Sequence, residues 1–175
     1  MTIELGLARG IDAQSFGEPG QRTFRLRVLG AASESVWLWT EKEHLRALAM
    51  AIRQLLSQLN YRHEAGKADV AGFPEVAESE FRVGLMAVGF SQPSRTLVLQ
   101  VNEIGVGEED EPTLRVGLTL EHCASLAAQM EEIIAGGRPT CPLCGASLDA
   151  SGHACIRSNG HSDQPIPEDS SDETS

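Results

Sequence analysis

Two stretches of the chain carry the same strand-then-helix pattern, and that repeat limits the folds open to it. Val36, Leu38, Leu45, Leu48, Ala49, Ile52, Leu55 and Leu56 map by a constant shift of 78 onto Leu114, Val116, Cys123, Leu126, Ala127, Met130, Ile133 and Ile134. Apolar alternation with a period of two marks a strand, and apolar recurrence every three or four residues marks an amphipathic helix. Identities between the two stretches are few. They are therefore read first as two units obeying one packing rule, with duplication of a ββα-like unit as the alternative. In either case each helix follows strands and has to bury its apolar stripe on the sheet. The expected fold is α+β: a mostly antiparallel sheet of about five or six strands with two amphipathic helices on one face.

The individual elements follow from local pattern. Residues 1–22 are weakly patterned and end in the turn signal Gly17-Glu18-Pro19-Gly20. Phe24, Leu26 and Val28 then alternate with Arg25, Arg27 and Leu29, and Gly30 to Ser33 turns the chain into a second strand at 34–40. There Val36 and Leu38 face one way and Trp37 and Trp39 the other, which suits a central strand. Thr40 and Glu43 have capping-box spacing ahead of the first helix, which ends near Asn60. Residues 60–80 read as a long connection, strands resume at 81–90, 95–104 and 114–118, and a second helix covers 120–135 before Gly136-Gly137-Arg138-Pro139 stops it.

Charge narrows the range of functions. The 175 residues carry a formal charge of −11. Five of the acidic residues (Asp163, Glu168, Asp169, Asp172, Glu173) lie in the last fourteen positions and four more form the run Glu108–Glu111, so the rest of the chain is nearly neutral. A broad basic surface for nucleic acid or anionic membrane is thereby excluded, whereas a local anion site is not. The tail at 162–175 has almost nothing apolar to bury and reads as disordered. No apolar run approaches the roughly 20 residues that span a bilayer, and the N-terminus lacks an export-signal layout. The expected location is cytoplasmic.

Three of the four cysteines fall in CPLCGASLDASGHAC, with the spacing C-x2-C-x8-H-x-C from Cys141, Cys144, His153 and Cys155. In a cytosolic chain such a cluster points to a metal rather than a disulfide framework. The two-residue spacer lets Cys141 and Cys144 converge on one ion, and the turn at 149–152 returns His153 and Cys155 to it. A Cys3His set fills the tetrahedral shell of zinc and leaves no position for water, so the site reads as structural rather than catalytic. His161 is an alternative to His153. Cys123 sits on the apolar stripe of the second helix and reads as a small core residue. The domain plan is 1–138 for the α+β body, 139–161 for a zinc knuckle and 162–175 for the tail.

The turn GEPGQRTFRL, the strand FRVG and the ending GRPTCPLCGASLDASGHACIRSNG together resemble a bacterial family known as domain-of-unknown-function family 3090. The likeness covers roughly residues 15–161. Cys141, Cys144, His153, Cys155, Arg157, Asn159 and Gly160 match the family's C-terminal pattern, while Ser147, Ala150 and Ile156 depart from it without touching an expected ligand. The family has no established activity. The resemblance implies a pathway or complex shared with phosphomutase-like and kinase-like neighbours.

Arg25, Arg27, Arg82 and Arg115 all lie on expected strands, on the face away from the helices. They could bind a phosphate or carboxylate there; a solvated, salt-bridged face is the plainer reading. His44, His63 and His122 stand alone, and His44 and His122 are expected to be exposed on early helix turns. The chain shows no Ser-His-Asp ordering, phosphate-binding glycine loop or HExxH motif, so no catalytic residue is assigned. The leading expectation is a zinc-binding, non-enzymatic module that docks a protein partner. Behind it stand an enzyme or sensor binding a phosphorylated small molecule on the arginine face and, more weakly, nucleic-acid binding through the knuckle.

Overall fold

The computed structural model describes residues 1–62, 72–136, 141–144 and 155. The chain divides into two compact units, Met1–Gly137 and Arg138–Ser175. Unit one contains β1 (Ile3–Leu7), β2 (Gly10–Phe16), β3 (Thr23–Leu29), β4 (Ser35–Thr40), α1 (Lys42–Gln58), β5 (Ser79–Ser91), β6 (Thr96–Glu103), β7 (Leu114–Leu118) and α2 (Leu120–Ala135). The seven strands form one sheet in the order β1-β7-β6-β5-β4-β3-β2. Four of the six pairings are antiparallel; β1–β7 and β4–β5 are parallel.

The expected α+β class holds, with β4 central, but the sheet has more strands than the five or six expected. The additional pair, β1 and β2, comes from the segment read as weakly patterned. Ile11 is buried there, whereas Ala13 and Ser15 are too small to make the alternation conspicuous. These two strands occupy opposite ends of the sheet order, yet only Ala8 and Arg9 separate them in the chain. Both residues are bonded: Ala8 N–H donates to the Gly117 carbonyl at 2.8 Å and Arg9 N–H to the Leu29 carbonyl at 2.9 Å. One continuous segment therefore joins the two ends of the sheet, which must curl for that to happen.

The two halves of unit one repeat a single plan. β2-β3-β4 and β5-β6-β7 are antiparallel meanders, each followed by a helix. Phe24 pairs with Thr40 as Leu97 pairs with Leu118, and Val36 pairs with Ser79 as Leu114 pairs with Ile3. The shift of 78 extends to Glu43-His44 and Glu121-His122, and to the N-cap positions Glu41 and Thr119. Inward-facing residues match as well: Leu26 and Leu99, Val28 and Val101, Leu38 and Val116 are each at most 1% exposed. The buried faces of both helices, including Leu45, Ile52, Leu126 and Met130, complete one continuous core.

The helix ends follow specific rules. α1 stops in a Schellman arrangement: Asn60 takes a left-handed φ of 52°, Tyr61 N–H donates to the Leu56 carbonyl at 2.9 Å and Asn60 N–H to that of Ser57 at 3.0 Å. The expected capping box at Thr40 does not form. Strand pairing claims the buried Thr40, Glu41 is the N-cap without a side-chain capping bond among the described residues, and Glu43 pairs with Arg46 instead. α2 has the cap that α1 lacks, with Thr119 Oγ1 accepting from His122 N–H at 3.1 Å.

Leu26 and Leu99 are equivalent and both fully buried. Replacing either with alanine should cost about 2–5 kcal/mol, the usual range for a leucine cavity. The two variants should unfold at similar urea midpoints; if only one is destabilised, the two halves do not carry the core equally.

Candidate metal centre

Cys141, Cys144 and Cys155 are brought together, with their Sγ atoms all within 4.8 Å of one another. Cys141 and Cys155 are buried, at 7% and 6% exposure, while Cys144 is half-buried. The Sγ atoms of Cys141 and Cys155 lie 3.7 Å apart. That is too far for a disulfide, whose sulfurs sit about 2.0 Å apart. It is close to the edge of a thiolate tetrahedron, which for Zn–S distances of about 2.3 Å is about 3.8 Å. Local sequence explains the convergence: Cys141–Cys144 spans a single turn, so its two thiols point to one centre. The three thiols fit a metal ion that favours sulfur ligands. His153 and the alternative His161 lie outside the described residues, as do the tail at 162–175 and residues 63–71 of the long connection.

The fourth cysteine behaves differently. Cys123 in α2 is fully buried in the core, and burial pushes its thiol up to about 12. It stays a neutral thiol at physiological pH and acts as a small apolar residue.

The four arginines do not converge. Arg27 forks onto Asp12, Arg82 pairs with Glu41 at 3.3 Å and Arg115 pairs with Glu4 at 2.6 Å. In the sheet order β6, β5 and β4 stand between Arg115 on β7 and the arginines on β3. Arg25 alone has no carboxylate in direct contact among the described residues. Its Nε and Nη2 both donate to Gln14 Oε1, at 3.1 and 2.6 Å, and its guanidinium stacks at 3.9 Å on Trp37, with Phe16 at 4.8 Å and Trp39 at 5.2 Å. Trp39 Nε1 donates to Glu80 at 3.0 Å, and Phe73 lies under Arg27 at 4.3 Å. Desolvation, then the neighbouring Arg27, lower the Arg25 pKa. The sequence signals this aromatic–arginine cluster only through Trp37 and Trp39 on the outward face of β4; its other members, Asp12, Gln14 and Phe16, belong to β2, whose apolar pattern is weak.

The histidines of the helix starts are half-buried rather than exposed. Each lies in the first turn of its helix. His44 Nδ1 is 3.3 Å from Thr40 Oγ1, whereas His122 Nδ1 is buried with no hydrogen-bond partner among the described residues.

The family comparison covers the same ground. A family model described as Protein of unknown function (DUF3090) matches residues 7–155, from the end of β1 to the last of the three clustered cysteines. The chain belongs to that family. The DUF3090 match thus takes in both halves of the sheet together with the thiol cluster and stops short of the acidic tail. No curated protein and no solved structure matches the chain. Among the described residues of this DUF3090 protein, no helix is long and apolar enough to cross a membrane.

Burial holds His122 below its ordinary pKa of 6.5, with nearby Glu121 opposing the shift more weakly. A lowered folded pKa means that the unfolded chain binds the proton first, so stability falls as the pH drops below 6.5 towards the folded value. The His122→Gln variant should lose less stability than the wild type between pH 7 and pH 5. Parallel thermal melts check this; identical pH profiles would remove His122 as the cause.

Proposed function

We propose that the DUF3090 protein is a zinc-stabilised, non-enzymatic interaction module in which Cys141, Cys144 and Cys155, completed by His153, hold one structural zinc ion. The observation that carries this reading is the gathering of three thiols within 4.8 Å of one another, with the Cys141–Cys155 pair at 3.7 Å. Zinc favours such ligands, and a full Cys3His shell has no open position at which a substrate or water could react. The ion would neutralise the thiolates and tie the C-x2-C turn to Cys155. A segment of about twenty residues cannot build a sufficient apolar core by itself, so metal binding would supply much of its folding energy.

Two further observations support the interaction role. Three of the four candidate arginines are already paired with carboxylates, which leaves no convergent set for a phosphorylated small molecule. Exposed apolar side chains remain, among them Leu143 inside the thiol turn at 53% exposure. A protein partner that buries Leu143 fits this arrangement better than a nucleic acid, because the chain outside its two acidic stretches is nearly neutral and offers no broad basic surface.

Elemental analysis of the full-length protein should find about one zinc per chain. Cys141→Ser and Cys155→Ser should each lose the metal. A strong chelator should unfold the C-terminal segment while the far-ultraviolet signal of α1 and α2 persists. A preparation with less than half an equivalent of metal and an ordered C-terminal segment would sink the zinc reading. Pull-down with Leu143→Asp against wild type tests the interaction reading, which fails if both variants retain the same partners.

A further inference from the structure

We propose that Cys144 is the site at which a hydroperoxide oxidises the thiol centre, forming a Cys141–Cys144 disulfide and releasing the bound metal. The proposal rests on the metal reading above and adds a modification site and its co-substrate class to it.

The argument is one of access and distance. Of the three clustered thiols, Cys141 and Cys155 are buried, whereas Cys144 is half-buried and follows Leu143, itself 53% exposed. Cys144 is therefore the residue of the three most open to a small oxidant arriving from solvent. Metal-bound thiols are held as thiolates, the form that attacks peroxide. The other sulfurs lie within 4.8 Å, close enough for a side-chain rotation to bring a second thiolate onto an oxidised Cys144. Cys141 is the partner because it shares the turn and only two residues separate the pair. Cys123 provides an internal contrast: it is fully buried, and its thiol is pushed up to about 12.

The step balances as follows. Cys144 Sγ attacks the terminal peroxide oxygen; an S–O bond forms, the O–O bond breaks, and the departing hydroxide of hydrogen peroxide, or the alkoxide of an organic hydroperoxide, takes a solvent proton to become water or an alcohol. Cys141 Sγ then attacks the sulfenyl sulfur; the S–S bond forms, the S–O bond breaks, and the second oxygen leaves as water after protonation. Two thiolates lose two electrons, the peroxide gains two, and two of the metal's ligands are lost together.

The test uses full-length, metal-loaded protein titrated with hydrogen peroxide. Released zinc is read with a chromogenic chelator, thiols are counted, and the modified positions are mapped by mass spectrometry after differential alkylation. The expected result is one zinc released per two thiols lost, a Cys141–Cys144 disulfide and an unmodified Cys123, with reductant and added zinc restoring the starting state. Limiting N-ethylmaleimide on the untreated protein should label Cys144 at least tenfold faster than Cys141, Cys155 or Cys123. Labelling that begins at Cys141 or Cys155, or a disulfide that excludes Cys144, overturns the proposal. A protein purified without metal overturns the zinc reading alone, since the order of thiol loss still decides whether Cys144 is the point of entry.

Discussion

The segment from Ile3 to Phe16 is the constraint on which the rest of unit one depends. Its first part is laddered to β7 and its second part to β3, so a single run of backbone satisfies hydrogen bonds at both ends of the sheet. The crossing point is narrow. Gly6 adopts a left-handed φ of 62°, and a Cβ there would come within 3.3 Å of the Ala31 Cβ, so the position suits glycine on two counts. Ala31 N–H donates to the Leu5 carbonyl at 2.9 Å, which fastens the β3–β4 turn to the same place. If this segment were lost, β7 and β3 would each expose an unpaired edge, a recognised route to aggregation.

Unit one is held by an extensive apolar core. At the thiol turn three sulfurs gather at one point; on the proposed metal reading they would do the work that apolar area does elsewhere, and sulfur is open to chemistry that buried leucine is not. The DUF3090 match, over residues 7–155, spans both.

The strands and helices with strong periodicity were legible in the sequence. Phe24, Leu26 and Val28 announce β3, and the apolar stripe from Leu45 to Leu56 announces α1, because burial on one face imposes a period that side-chain type records. β1 and β2 were not legible. Their inward positions include Ala13 and Ser15, their outward ones include Phe16, and long-range pairing rather than local pattern makes them strands. The capping box at Thr40 failed for a related reason, since a tertiary ladder outweighed a local helix signal. At the candidate site, the cysteines were readable because spacing and chemistry coincide. The arginines were readable as strand residues, but their partners were not: Asp12, Glu4 and Glu41 come from elements 15, 111 and 41 residues away.

The contact between the two helices has one more consequence. Arg53 and Glu131 occupy equivalent positions, 78 residues apart, and bind each other through two parallel bonds of 2.9 and 2.8 Å. Equivalent positions can meet only beside the axis that relates the two halves. Two identical subunits assembled about such an axis would set like against like there, arginine facing arginine or glutamate facing glutamate. Joining both halves in one polypeptide removes that restriction, because each side of the axis is then encoded separately and can carry the opposite charge.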